Sequence, residues 1–264
     1  MFRFVDAYTL RARLVPAAIA AAPALAAIAL LISWNKIALS NMIATGALLV
    51  LLFSLADFAR RQGKRIEPIL YQEMGGKPST TMMRYADNSF DASAKERYRS
   101  FLSGKIKSAV PTEAEEKANP QEADAFYERC GAWLRENTRD TKKLSILFSE
   151  LLTYGFRRNL LGSKWPALIL NVIVVALCCG LLWQRWPLGM EDDLTTRIVV
   201  VLVIAVIHAL YIAFVVTKAS LMEAARTYAR QLILSCETFL ADEKSAGGKA
   251  KAAKKASYTV SISD

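Results

Sequence analysis

Histidine and cysteine are scarce in this chain, with one histidine and four cysteines among 264 residues. His208 is the only histidine, and the adjacent Cys178 and Cys179 do not have the spacing of metal ligands, so we expect neither a metal site nor a cofactor. Cys178 and Cys179 are adjacent inside an apolar run, whereas Cys130 and Cys236 lie in polar segments expected in the reducing cytoplasm. The cysteines therefore predict no disulfide framework.

Catalytic motifs are also missing. The glycine-rich turn at 75–81 invites comparison with a phosphate-binding loop, but Pro78 stands where the G-x-x-x-x-G-K-[ST] pattern requires serine or threonine. Asp192 and Asp193 are adjacent, so their side chains diverge, and the sequence offers no paired nucleophile and base. We therefore predict that the protein is not an enzyme. The turn itself is open to two interpretations, a plain turn or a looser anion site.

Apolar residues, in contrast, make up 53% of the chain and gather in four long runs. A run of about 20 apolar residues crosses about 30 Å of hydrocarbon as a helix. We therefore predict an all-α membrane protein with four transmembrane helices in two hairpins and a mainly helical cytoplasmic domain. The four runs are Leu14–Trp34, Ile37–Ala56, Trp165–Trp186 and Ile198–Thr217.

The predicted domains follow from these runs. They are a first transmembrane hairpin at 1–57, a basic cytoplasmic sensor domain at 58–164, a second transmembrane hairpin at 165–217, a cytoplasmic helix continuing the fourth span at 218–243, and a basic tail at 244–264.

Local patterns predict several elements outside the first three spans. Glycine and proline predict a loop over Ile66–Ser89, and Asn119 followed by Pro120 predicts the start of a helix. Apolar residues at helical spacing predict one continuous helix from Ile198 to Glu243. Alternation over Tyr258–Ile262 predicts a short terminal strand.

Positive charge is concentrated in the central insert, where residues 58–164 carry 20 lysines and arginines against 14 acidic residues. The formal net charge of the whole chain is +10. Because short positively charged segments stay in the cytoplasm, both termini and the insert are expected there. The predicted location is the bacterial inner membrane.

Basic and aromatic residues alternate in the insert, a pattern typical of surfaces that neutralise phosphates and stack on bases. The alternative is a solvated helix face with salt bridges, to which Glu96, Glu136 and Asp140 would contribute. The predicted phosphate ligands are Lys77, Arg84, Arg97, Arg99, Arg135, Arg139, Lys142 and Lys143, and the predicted stacking residues are Tyr85, Tyr98 and Trp133.

Polar residues within the spans are the candidates for a pore, because polar groups in membranes usually face the protein interior or a water-filled path. On the second span, Asn41 and Thr45 would form a polar mouth above a constriction at Leu48 and Leu52. His208 is a further candidate, although a helix–helix hydrogen bond is the alternative for it. Four spans enclose no conduit alone, so a pore requires a homo-oligomer, with a tetramer favoured.

The stretches Gly75–Arg84, Arg97–Arg99, Trp133–Asp140 and Tyr154–Gly162, set between two hydrophobic hairpins, resemble the four-span ion-channel effector of the Hailong anti-phage system. This resemblance implies a membrane channel that responds to a nucleotide or a single-stranded DNA oligomer, with a nucleotidyltransferase-like partner. It assigns no residue roles.

We therefore expect an oligomeric ion channel effector in anti-phage defence, gated by an anionic cytoplasmic ligand. The alternative is a membrane-anchored scaffold that binds a partner protein or anionic lipid through its basic domain.

Overall fold

The computed structural model describes residues 7–31, 41–185 and 192–260, and within them the side chains of 7–31, 46–185 and 192–245. Every regular element in these ranges is a helix, which confirms the all-helical class. The chain divides into two compact units. The first unit comprises Met1–Glu73 with Leu151–Ala224, and the second comprises Met74–Glu150 with Ala225–Asp264. The second unit therefore begins at Met74, whereas the predicted sensor domain begins at residue 58.

The first unit is built mainly from long apolar helices. Helix α10 packs against α2 and α9, and α1 packs against α3. The elements are the π-helix π1 (Thr9–Leu14), α1 (Val15–Ala20), α2 (Ala22–Leu31), α3 (Asn41–Glu73), the Leu151–Gly162 part of α8 (Ser145–Gly162), α9 (Lys164–Trp183), α10 (Asp193–Leu210), the π-helix π2 (Tyr211–Val215) and the start of α11 (Lys218–Val260).

Two stretches of the described chain are long and apolar enough to cross a membrane, namely α9 and the stretch Asp193–Val215 formed by α10 and π2. Helices α1 and α2 add a third if the bent pair Thr9–Leu31 is one span. The predicted span Ile37–Ala56 lies partly outside the described residues. Exposed apolar side chains such as Val172 and Phe214, 67% and 75% exposed, match a lipid-facing surface. The structure thus supports a membrane protein with two or three candidate spans.

The first candidate span is bent by 65° between α1 and α2. Pro16 and Pro23 both lie in it, and each removes the backbone N–H that a regular helix directs at the carbonyl four residues earlier. At the bend, Ala21 leaves helical geometry with a ψ of 4°. The irregular path of this segment therefore follows from its prolines.

The predicted continuous helix from Ile198 to Glu243 is wrong, because the helix ends after π2 and α11 begins at Lys218. Val216 is extended, with a ψ of 93°. The ammonium of Lys164 donates to the carbonyl oxygens of Ala213 at 3.0 Å and Val216 at 2.8 Å. This cation satisfies carbonyls at the end of the span, so the chain can leave the helix there.

The predicted loop over Ile66–Ser89 is wrong in its first part, because α3 continues through Pro68 to Glu73. Glu67 accepts hydrogen bonds from Arg158 at 3.0 Å and from the hydroxyl of Tyr154 on α8. These contacts with α8 hold the last turns of α3 and outweigh the local cost of the proline.

The second unit is a small helical domain around one apolar core. Its largest fully buried side chains include Tyr127, Met83, Leu102 and Leu134. The elements are α4 (Pro78–Thr81), α5 (Ala92–Ile106), α6 (Glu113–Ala118), α7 (Pro120–Asn137), the start of α8 and the rest of α11.

Helix α7 begins where its sequence predicts. The side chain of Asn119 accepts a hydrogen bond from the backbone N–H of Glu122, and Pro120 is the first helical residue. The predicted strand over Tyr258–Ile262 is wrong in its described part, since α11 continues to Val260. Alanine and lysine make up residues 249–256, directly before it, and both favour a helix that the described end of the chain continues.

Candidate functional site

The turn-rich segment at 74–91 of the second unit carries several predicted ligand residues, and Lys95 holds it. Lys95 is 4% exposed, and its ammonium donates to the backbone carbonyl oxygens of Arg84 at 2.9 Å, Tyr85 at 3.3 Å, and Asp87. Burial lowers the pKa of Lys95, because desolvation disfavours its charged form. The hydrogen bonds to three carbonyls give the buried ammonium its partners and fix the turn.

Arg99 is a second buried cation that hydrogen-bonds to the backbone of the same segment. It is 3% exposed, and its Nε donates to the carbonyl oxygen of Met83 at 2.9 Å. Its guanidinium lies 3.8 Å from the ring centroid of Tyr85 and 5.6 Å from that of Tyr127. The predicted phosphate ligand Arg99 and the predicted stacking residue Tyr85 are therefore packed on each other, an arrangement that stabilises the turn.

Arg84 and Lys77 are both paired with carboxylates of α7. Arg84 forms a bidentate pair with Asp124, with distances of 2.8 and 2.6 Å, and also donates to the carbonyl oxygen of Gly75 at 3.1 Å. Lys77 lies 3.0 Å from Glu128. Gly75 has a φ of 74°, which favours glycine at this turn. The turn is thus tied to α7 by two ion pairs.

Two further predicted ligands are paired with acidic residues of α11. Glu237 accepts from Arg97 and, at 2.6 Å, from the hydroxyl of Tyr98, and Asp242 pairs with Lys143. The hydrogen bond from Tyr98 and the charge of Arg97 lower the pKa of Glu237. Exposed ion pairs of this kind contribute about 0–1 kcal/mol, so an anionic ligand could displace the carboxylates at small cost.

Trp133, a predicted stacking residue, lies in an aromatic cluster. Its ring is 5.8 Å from that of Phe101 and 5.4 Å from that of Phe239, with both contacts edge-to-face. The side chain is only partly buried. Part of its surface is thus engaged in joining α5, α7 and α11.

The remaining predicted ligands are Arg135, near the end of α7, and Arg139 and Lys142, in the segment that follows α7; we call these three residues the strip. Arg135, Arg139 and Lys142 are exposed and make no ion pair with the described residues. Arg135 Nη1 and Ser79 Oγ each lie 3.3 Å from the position that a Cβ on Gly131 would take. The fold therefore brings the glycine-rich turn and the basic end of α7, which are far apart in sequence, to one place.

A cleft of about 310 Å³ in the second unit is lined by two arginines, Arg84 and Arg226, together with Thr81 and Ser89. Its volume is at the lower end of the range typical of small-molecule sites. Arg226 is not among the ligand residues predicted from the sequence. Arg226 and Arg230 are four residues apart on α11, and this spacing is the signal that could have identified a basic helix face.

The predicted gate lies on α3 of the first unit. Leu48 is 48% exposed and Leu52 is partly buried, and Leu55 on the same helical face packs against the α1–α3 cluster. This face thus continues into the contact with α1 of the same chain. The side chains of Asn41 and Thr45 lie outside the described residues.

His208, the predicted pore residue in α10, is 6% exposed and lies against Asn171 of α9. The side-chain amide nitrogen of Asn171 is 2.8 Å from the carbonyl oxygen of Ala205 and 2.8 Å from His208 Nδ1. His208 Nε2 is buried and makes no hydrogen bond with the described residues. The pair is therefore a polar contact inside the helix bundle of one protomer.

The described residues contain no group of three or more histidine, cysteine or acidic side chains that could hold a metal ion. Comparisons of the chain with protein-family models, curated proteins and solved structures find no match.

Proposed function

We propose that the protein is an oligomeric membrane ion channel effector, gated by an anionic cytoplasmic ligand such as a single-stranded DNA oligomer or a nucleotide signal, in anti-phage defence. The observation that carries the ligand part is the exposed strip of Arg135, Arg139 and Lys142. The side chains of these cations form no ion pair within the described part of the chain, although Asp140 lies near Lys142, whereas Lys77, Arg84, Arg97 and Lys143 are paired. A phosphate backbone supplies the missing negative charges.

The proposed membrane orientation follows the distribution of charge. The excess of lysine and arginine between residues 58 and 164 favours a cytoplasmic second unit. Arg60, Arg61, Lys64 and Arg65 follow the apolar part of α3, where they would contact anionic headgroups. A cytoplasmic ligand would then meet the strip without crossing the membrane.

Binding to the strip has a defined salt dependence. Each phosphate neutralised on a single strand contributes a slope of about −0.7 to the dependence of log affinity on log salt concentration. Three cations therefore give a slope of about −2, which corresponds to a roughly 20-fold loss of affinity between 50 and 200 mM salt. Fluorescence anisotropy with a short labelled single-stranded DNA measures this slope.

Matched variants distinguish an effect of the strip from an effect of the protein's total charge. Replacing Arg135 and Arg139 by glutamine should weaken DNA binding and reduce the slope by about 1.4. Replacing both Lys117 and Lys105 by glutamine removes two charges that are already paired with Glu113 and Glu243, and should change neither the affinity nor the slope. An affinity that does not depend on salt, or equal losses in both variants, would contradict the phosphate-neutralising role.

The channel part rests on the apolar helices and the predicted gate on α3. A polar residue at Leu48 or Leu52 should make the closed channel leaky, because a hydrophobic constriction excludes water. The measurement is the membrane potential of cells producing the Leu48→Ser variant. Val172→Ser on α9, at an exposed apolar position, is the control. An unchanged potential in the Leu48 variant would exclude this face as the gate.

A second candidate function, a membrane-anchored scaffold for a partner protein or anionic lipid, is favoured by the Asn171–His208 contact. These polar residues bond to each other within one protomer and need no aqueous path. Ion flux into liposomes containing the purified protein, with and without DNA, discriminates the two functions. A scaffold would give no flux under either condition.

A further inference from the structure

A cavity of about 60 Å³ lies in the first unit beside the bend between α1 and α2. Its walls come from α1, from Ala21 at the bend, from α3 and from the start of α9. Small side chains, among them Ala17, Ala20 and Ala167, leave this space open. Phe58 of α3 also lines the cavity and is 44% exposed, so the cavity reaches the surface of the helix bundle.

Of the described residues in these walls, only Ser163 is polar. Ser163 is 2% exposed, and its hydroxyl has no hydrogen-bond partner in the described part of the chain. It is the N-cap residue of α9, where a hydroxyl usually accepts from the N–H of the second or third helical residue. The third is Pro166, which has no N–H, and the capping bond does not form. Because an unpaired buried hydroxyl is costly, an acceptor brought into the cavity would be stabilised.

The size and the walls of the cavity limit what it can hold. Since one water-sized group needs roughly 15 Å³ of such space, the cavity has room for about four of them. A buried water needs two to four polar partners, whereas the side chains here offer one hydroxyl. A purely apolar guest would leave that hydroxyl unpaired. The chemistry that fits is a short apolar segment with one acceptor, such as the ester group of an acyl chain.

The cavity lies at the end of a candidate span, at the depth where a membrane lipid carries such a group. Ser163 directly precedes α9, and Trp165, 72% exposed, is of the residue type enriched at membrane interfaces. On α3, Ala59 of the cavity wall is followed by Arg60 and Lys64, cations suited to an anionic headgroup. In a phospholipid the ester groups join the headgroup to the hydrocarbon, so both ends of the lipid find matching surroundings.

We propose that this cavity binds the acyl-ester group of an anionic phospholipid from the surrounding bilayer, with the Ser163 hydroxyl donating to the ester carbonyl oxygen. The first methylenes of the acyl chain would fill the space between the alanines of α1 and α9. This inference requires that the apolar helices of the first unit lie in a membrane. It does not depend on the proposed anionic ligand or on channel activity.

Native mass spectrometry of the full chain in mild detergent tests the hydrogen bond. The protein is titrated with phosphatidylglycerol and with its diether analogue, which lacks the ester carbonyls. We expect the wild type to bind the ester lipid about fivefold more tightly, the gain typical of one hydrogen bond. In Ser163→Ala this preference should disappear, because the donor is missing. Equal affinities in the wild type, or a preference that survives in Ser163→Ala, would overturn the proposal.

A second pair of variants tests the cavity itself. Ala20→Leu places a larger apolar side chain in the cavity wall and should weaken phosphatidylglycerol binding at least fivefold. Ala176→Leu adds the same volume at an exposed position of α9 and should bind as the wild type does. Size-exclusion chromatography before each titration ensures that folded particles are compared. Unchanged binding in Ala20→Leu would mean that the lipid binds elsewhere, and would overturn the proposal.

Discussion

Gly162 at the end of α8 lies against the backbone of α3 more closely than any larger residue allows. A Cβ at this position would be 2.4 Å from the backbone nitrogen of Gly63 and 2.5 Å from the carbonyl carbon of Gln62. Contacts below 3.0 Å essentially do not occur for real Cβ atoms, and the atoms in the way belong to the backbone of α3, which cannot move aside as a flexible side chain could. Gly162→Ala must therefore push α8 and α3 apart by at least about 0.6 Å.

The cost of this separation follows from two opposing effects. Overpacking a close contact costs about 3 kcal/mol at the upper end of its usual range, while alanine in a helix recovers about 1 kcal/mol relative to glycine. The net loss of about 2 kcal/mol corresponds to a midpoint lower by roughly 4–8 °C for a chain of this size.

The assay is thermal denaturation in detergent, followed by size-exclusion chromatography of the remaining folded protein. Gly180→Ala is the matched control, because a Cβ on Gly180 of α9 meets nothing within 4 Å. The control should melt at or slightly above the wild-type midpoint. A Gly162→Ala midpoint within 1 °C of wild type would refute the close approach of the two helices.

Three further predictions concern single contacts. Arg158→Met leaves the half-buried carboxylate of Glu67 without its cation and should lower stability by about 3 kcal/mol in denaturant titrations, whereas Lys117→Met, at an exposed pair, should leave the unfolding midpoint unchanged. Asn119→Ala removes the N-cap of α7 and should cost about 1 kcal/mol, and an unchanged midpoint would contradict this. The hydroxyl of Tyr98 lowers the pKa of Glu237 below its ordinary value of 4.5, so their contact stabilises the fold above that pH and is lost as pH falls through the lower folded value. Glu237→Gln should remove this acid sensitivity in melting curves between pH 3 and 5, and equal sensitivity in both proteins would exclude it.

Short sequence signals correctly predicted the structural feature that depends only on neighbouring residues, the start of α7. The start of α7 follows from an N-cap asparagine and a proline at the first helical position. Such signals act within a few residues and are visible in one sequence.

Elements that depend on distant partners were not predictable in the same way. Apolar spacing continues through Val216, but the helix ends there because Lys164 satisfies its carbonyls from another helix. Pro68 suggested a turn, but contacts with α8 keep α3 helical. Local propensity is a weak prior that such tertiary contacts override.

In the candidate site, too, the residue types could be predicted from the sequence, whereas the contacts between distant residues could not. Residue types and charge identified a basic surface, but could not tell which cations the fold would neutralise. Arg99 serves a backbone carbonyl and Arg84 pairs with Asp124, whereas Arg135 is exposed next to a turn more than fifty residues earlier in the chain. Pairings of this kind depend on how α4, α7 and α11 pack together.

The most direct test of the central claim is to purify the full chain in mild detergent and measure the ratio of absorbance at 260 and 280 nm together with the particle mass. We predict a symmetric oligomer with a raised ratio that falls after nuclease treatment, and a lower ratio in a variant with Arg135, Arg139 and Lys142 replaced by glutamine. A protein-like ratio on a monomeric particle would contradict the nucleic-acid-gated channel and favour the scaffold.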